Sequence, residues 1–172
     1  MRKLTKRVAL FASSLAMALS AVVVSSGAAH AADPFVTVRV WGSSHCIDNA
    51  TQNAETLQMW NCTGGNEQKW TDRDNAANTS YALVNLNTDY CMDALAQGDG
   101  VVVMGPCTSS NTQQWTTLFA ANPSPFTNGA YAVIQNVASG ECLKTLSVAN
   151  GTLLRTWPCD TTDHYQKWHF DF

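Results

Sequence analysis

Positive charge is scarce in this chain. Of its 172 residues only ten are Lys or Arg, against 13 Asp and Glu, and Arg2, Lys3, Lys6 and Arg7 supply four of the ten. Residues 32–172 therefore hold 13 acidic against six basic residues, a formal charge of −7. That balance argues against nucleic acid as a partner, because phosphate backbones are bound through clustered Lys and Arg. Helical patterning is missing too: no window carries an amphipathic helix of useful length. Catalytic constellations are equally absent. No Ser/His/Asp order or carboxylate pair recurs, so no catalytic residue is named and the protein is not expected to be an enzyme. There is no Cys-x2-Cys pair, and His45, His164 and His169 show no ligand spacing. Neither a metal nor a cofactor is expected.

One long uncharged run does occur, from Val8 to Val24, behind the basic cluster and ahead of small residues ending in Ala29-His30-Ala31. This order predicts a secretory signal peptide over 1–31, cut before Ala32. A retained membrane anchor is the rival reading, but the run is short, contains three serines and is followed closely by the Ala-x-Ala site. The expectation is a secreted, extracellular protein of one domain, 32–172, without a membrane anchor. Six cysteines in an exported chain of this size read as three disulfides.

What the chain has in abundance is repetition. A cysteine, a second cysteine 16 or 17 residues on, and a Gln-x-Trp triplet recur three times: Cys46, Cys62, Gln68-Lys69-Trp70; Cys91, Cys107, Gln113-Gln114-Trp115; Cys142, Cys159, Gln166-Lys167-Trp168. The copies span about 35–78, 79–127 and 128–172. Each contains short β-branched and aromatic runs, such as Phe35–Val40, Tyr81–Leu86 and Tyr131–Asn136, and then Thr56–Trp60, Val101–Met104 and Thr152–Trp157. Strands separated by Gly, Asn, Asp and Ser predict an all-β fold. A single copy is too small to bury its own apolar face, whereas three around one axis share a core and hide their strand edges. A pseudo-threefold barrel follows. The spacings of 16, 16 and 17 favour disulfides within each copy, Cys46–Cys62, Cys91–Cys107 and Cys142–Cys159. Pairing each second cysteine with the first of the next copy gives less regular spans of 29 and 35.

Scaffold positions should repeat, whereas a site carried by one copy need not. Trp70, Trp115 and Trp168 are thus expected in the core, and Trp41, five residues before its cysteine, is read as core as well. The triplet glutamines suit either a scaffold turn or a pocket edge. Two residues after the first cysteine stand Asp48, Asp93 and Lys144. Two before the second stand Trp60, Gly105 and Trp157, and four before it Gln58, Val103 and Arg155. The first copy thus joins Asp48, Gln58, Trp60, Asn66 and Gln68. A carboxylate, amides and a flat ring are what a neutral sugar requires for its hydroxyls and its apolar face.

Cys-Ile-Asp at 46–48, Leu-Gln-Met-Trp-Asn-Cys at 57–62 and Asn-Glu-Gln-Lys-Trp at 66–70 resemble the ricin B-type lectin family, also found as family 13 carbohydrate-binding modules. Cys-Met-Asp at 91–93 with Asn-Thr-Gln-Gln-Trp at 111–115, and Cys-Leu-Lys at 142–144 with Leu-Arg-Thr-Trp-Pro-Cys at 154–159, are similar to its second and third copies. The resemblance implies a β-trefoil of three four-stranded units, each with a shallow pocket for galactose-type sugars or xylan-like chains. It implies a sugar-binding aspartate at Asp48 and Asp93, a stacking ring at Trp60 and Trp157, and a hydrogen-bonding amide at Gln58 and Gln68. Glu67 departs from it, standing where the family has Asn. The first copy is the complete pocket. The second keeps Asp93, Asn111 and Gln113 but has Gly105 for the ring and Val103 for the amide. The third offers Trp157, Tyr165 and Gln166, yet Lys144 cannot accept a hydrogen bond; with Arg155 it suits a carboxylate instead. The expected protein is a monomeric carbohydrate binder. The alternative is a secreted module that binds another protein, as inhibitor or toxin subunit, with vestigial pockets.

Overall fold

A computed structural model describes residues 35–50, 56–74, 79–95, 100–121 and 131–171. The expected signal peptide lies outside the described residues. Each copy supplies four strands: β1 (Val36–Val40), β2 (His45–Asn49), β3 (Leu57–Asn61) and β4 (Lys69–Asp74); β5 (Tyr81–Asn85), β6 (Tyr90–Ala94), β7 (Val102–Pro106) and β8 (Trp115–Ala121); β9 (Tyr131–Asn136), β10 (Cys142–Thr145), β11 (Leu154–Trp157) and β12 (Trp168–Asp171). A 3₁₀ turn precedes each fourth strand, at Asn66–Gln68, Asn111–Gln113 and His164–Gln166. The predicted runs of the sequence form these strands to within two residues.

Antiparallel pairs β1–β4, β4–β5, β5–β8, β8–β9, β9–β12 and β12–β1 close a six-stranded barrel. The remaining strands form three hairpins, β2–β3, β6–β7 and β10–β11. Each hangs from the first strand of its copy through one register contact: Arg39 to Cys46, Val84 to Cys91 and Gln135 to Cys142. The hairpins also meet one another, through bridges Thr56 to Val103, Gln58 to Leu153 and Val101 to Arg155. The chain is a β-trefoil.

The threefold figure is built into its interior. Trp70, Trp115 and Trp168 are fully buried, and each indole N–H donates to the carbonyl of the residue after its copy's first cysteine: Ile47 at 3.3 Å, Met92 at 3.1 Å and Leu143 at 3.0 Å. The polar edge of a large apolar ring is thereby satisfied where water cannot reach. All three disulfides form within copies, with Cα separations of 5.1, 4.9 and 4.9 Å. The staggered pairing is not formed. Each closes a hairpin-sized loop, worth about 3 kcal/mol against the unfolded chain.

Trp41 departs from expectation. It follows Val40, a core residue, into a turn, and its N–H donates to the Lys167 carbonyl at 2.8 Å. Strand alternation ends at Val40, so the ring stays half-buried at the surface. It stacks on His164 with centroids 5.4 Å apart and meets Tyr131 at 5.1 Å. The Lys167 ammonium lies 4.8 Å from the Tyr131 centroid and 5.4 Å from that of Trp41, within cation–π range.

Candidate functional site

The first copy's candidates gather on the outer face of its hairpin. Asp48 stands directly opposite Gln58, and Cys46 opposite Trp60. Paired residues of an antiparallel ladder share a face; here Leu57 and Met59 take the core side and Gln58 and Trp60 the other. Asp48 is only 5% exposed. Gln58 Nε2 donates to its Oδ1 at 3.0 Å and Gln68 Nε2 to its Oδ2 at 2.9 Å. Both donors are neutral amides that hold the carboxyl in place, and each of its oxygens has a further lone pair with which to accept a hydroxyl. Trp60, 39% exposed, offers a ring face two residues along the same strand.

Gln68 sits behind this face and not on it. Fully buried, it accepts from the Thr63 N–H at 2.7 Å and donates to the Asn61 carbonyl at 3.0 Å as well as to Asp48. It is a positioning residue. Asn66 opens the 3₁₀ turn and is exposed. Glu67, in the place where the resemblance implies Asn, folds its carboxylate over Gly65, where any Cβ would collide with it. Gly65 must therefore remain glycine while Glu67 keeps that pose.

The second copy keeps the acid and loses its companions. Gln113 Nε2 donates to Asp93 Oδ2 at 2.9 Å and to the Pro106 carbonyl at 3.0 Å, while the Thr108 N–H donates to Gln113 Oε1 at 2.7 Å. Opposite Asp93 stands Val103, which has no donor, and Asp93 Oδ1 is left buried without a hydrogen bond. Gly105 leaves the ring position vacant, and Asn111 is exposed on its turn.

In the third copy Lys144 faces Arg155 across the hairpin, a like-charge pair that costs stability unless relieved. Asp163 relieves it, with Oδ2 2.8 Å from Lys144 Nζ. Burial pushes the Asp163 carboxyl up, but the Lys144 ammonium and the Tyr165 N–H outweigh it and hold the group below its ordinary range. The Lys144 ammonium also lies 5.3 Å from the Trp157 centroid. The lysine that suits a ligand carboxylate thus already holds one from its own chain. The sequence reading missed Asp163; its signal was position, three residues before Gln166, where the other copies have Gly65 and Ser110. Gln166 still accepts from the Asp160 N–H and donates to the Pro158 carbonyl, both at 2.9 Å. Trp157 and Tyr165 remain exposed, at 47% and 39%.

Among solved structures, a designed threefold-symmetric protein, ThreeFoil, superposes with a TM-score of 0.69 at 18% identity, covering 81% of this chain and 99% of that one. An exo-beta-1,3-galactanase from Clostridium thermocellum matches with a TM-score of 0.68 at 17% identity over 83% of this chain, but only 31% of the galactanase. The Polyporus squamosus lectin bound to the epitope Neu5Aca2-6Galb1-4GlcNAc matches at 0.65 and 14%, over 79% of this chain and 48% of the lectin. These likenesses establish the fold. A comparison with curated protein sequences finds no match. The family model of the ricin-type beta-trefoil lectin domain matches twice, over residues 34–117 and 79–171. With the internal tryptophans, intra-copy disulfides and closed strand ring in view, the chain belongs to the ricin-type beta-trefoil lectin family.

Proposed function

We propose that the protein is an exported carbohydrate-binding module that takes neutral, galactose-type or xylan-like sugars, chiefly through the first copy. The observation that carries this reading is Asp48. It is a carboxylate with both oxygens fixed by uncharged amides, beside the exposed ring of Trp60. Sugar hydroxyls would donate to Asp48, Gln58 would accept or donate beside it, and the sugar's C–H face would lie on Trp60. A shallow site of this kind binds weakly, with Kd around 10⁻⁴ to 10⁻³ M, or roughly 4 to 5.5 kcal/mol.

Calorimetric titration with the strongest neutral hit from a glycan array tests the assignment. Trp60→Ala and Asp48→Ala are each expected to weaken binding by at least about tenfold, the equivalent of 1.4 kcal/mol, with the β-sheet circular dichroism unchanged. Parent-like affinity in both variants would reject the pocket. A second reading, a module that docks on another protein, draws support from the third copy, where Trp157 and Tyr165 are exposed beside an internally neutralised lysine. An array without hits, together with a stoichiometric complex lost on Trp157→Ala, would favour it.

A further inference from the structure

Beside the Cys91–Cys107 disulfide lies a cleft of about 590 Å³, within the range of small-molecule sites. Asp93, Val103, Gly105 and Gln113 do not line it, and of the second copy's candidate pocket residues Asn111 alone borders it. The wall strands explain why it opens. Eleven, nine and seven residues before the first cysteine, the three copies carry Phe35, Ser80 and Tyr131; Thr37, Ala82 and Val133; Arg39, Val84 and Gln135. Alternate residues of a strand share a face, and at all three positions the second copy has the smallest side chain.

In the first copy Arg39 reaches the Ser43 carbonyl at 3.0 Å and Asp171 Oδ1 at 3.2 Å. In the third, Gln135 reaches the Gly140 carbonyl at 2.7 Å, and Tyr131 packs with Trp41 and Lys167. Val84 spans nothing comparable. It joins Ala82, Cys91 and Cys107 in a small apolar cluster apart from the main core, and the other three members of that cluster line the cleft.

The rim is polar. Arg73 stands opposite Ala82 in the β4–β5 ladder, hence on the cleft face, and its guanidinium makes no hydrogen bond or ion pair among the described residues. Asp74, which pairs with Tyr81, borders the cleft as well. Ser109, Asn111 and Thr116 add hydroxyls and an amide. Strands β4, β5 and β8 are paired on both sides around the barrel, so no backbone edge is offered to an extended peptide. A compact polyhydroxylated ligand fits this lining, and Arg73 gives a carboxylate its place.

We propose that this cleft is a separate binding site for an acidic sugar of the uronic acid type, its carboxylate on Arg73 and its C–H face on Ala82 and the disulfide. The site does not depend on the Asp48 pocket. Titrating the ¹⁵N-labelled protein with D-galacturonic acid and D-glucuronic acid, and with D-galactose as the neutral control, tests it by NMR. Either uronate is expected to shift the amides of Ser109 and Thr116, with galactose at least about tenfold weaker. Arg73→Gln should reduce uronate binding to the galactose level. Val84→Gln, the side chain of the third copy, should abolish the cleft shifts. Trp60→Ala should leave them intact, which separates this site from the lectin pocket. The buried indole N–H resonances of Trp70, Trp115 and Trp168 report whether each variant is folded; should Val84→Gln not fold, the exposed Arg73→Gln decides. No cleft shifts up to about 50 mM uronate, shifts centred on Lys144 and Arg155, equal shifts with galactose, or parent-like binding by Arg73→Gln would each overturn the proposal.

Discussion

At the scale of single residues, Gln68 links scaffold and pocket. Its one amide ties the Thr63 N–H and the Asn61 carbonyl and also steadies Asp48. Gln166 makes the two backbone bonds alone, because Lys144 stands where an acid would be. Removing either glutamine loses two part-buried bonds from side chain to backbone, at about 0.5–1.5 kcal/mol for each. Gln68→Ala and Gln166→Ala are therefore both expected to lower Tm, by roughly 5–10 °C for a domain of this size. Only Gln68→Ala should also weaken sugar binding, since it alone releases a pocket carboxylate. A thermal melt paired with a sugar titration separates the two effects. Equal sugar affinity in both variants would show that Asp48 needs no support from behind. In the sequence the triplet glutamines were legible as repeated but not as buried. Their partners are backbone atoms five to eight residues away, brought within reach only when the hairpin turns back.

At the scale of the element, the hairpin is the unit that varies. β2–β3 and β6–β7 share a register in which Asp48 faces Gln58 and Asp93 faces Val103, while Cys46 faces Trp60 and Cys91 faces Gly105. The second hairpin thus lacks two side chains and no backbone. A Cβ at Gly105 would lie 3.5 Å from Gln113 Nε2 and 3.6 Å from Asp93 Oδ2, ordinary contact distances, and its φ is not left-handed. An amide at 103 would meet the Asp93 oxygen now buried without a partner. The double variant Val103→Gln, Gly105→Trp is expected to gain a sugar site of similar strength to the first, read as a second binding event in calorimetry. No gain, in a variant that melts like the parent, would show that the pair of acid and ring is insufficient. The strands themselves were plain from the sequence, as was the shared face of Gln58 and Trp60, since period two is visible in a single string of letters. The Lys144–Asp163 bridge was not, because it joins one copy's hairpin to its own 3₁₀ turn 19 residues later, and nothing periodic marks it.

For the whole molecule, closure of the ring through β1 and β12 makes the three copies equivalent in structure and leaves them unequal in chemistry. One hairpin carries acid, amide and ring together, so the neutral-sugar titration should saturate at one ligand per chain. Sugar-coated beads should not be cross-linked, since a single site gives none of the effective-concentration gain of linked sites. A stoichiometry of two or three would contradict that. The fold was readable because it is stated three times, in cysteine spacing and in Gln-x-Trp. The cleft beside Cys91 and Cys107 was not, since its opening depends on three wall residues being small together. Trp41 was misplaced for a related reason: its five-residue offset puts it past the last alternating position of β1. The scaffold bonds have one further consequence. Each repeated tryptophan and glutamine of the figure grips main-chain atoms, the carbonyls of Ile47, Met92 and Leu143 and those of Asn61, Pro106 and Pro158. Every amino acid brings the same carbonyl, so a substitution at the exposed Asn61, Pro106 or Pro158 or on the outer hairpin face leaves these bonds in place. Mutation is thus free to spoil, retune or rebuild one pocket at a time, and a lineage of such proteins can change its ligands without ever passing through an unfolded ancestor.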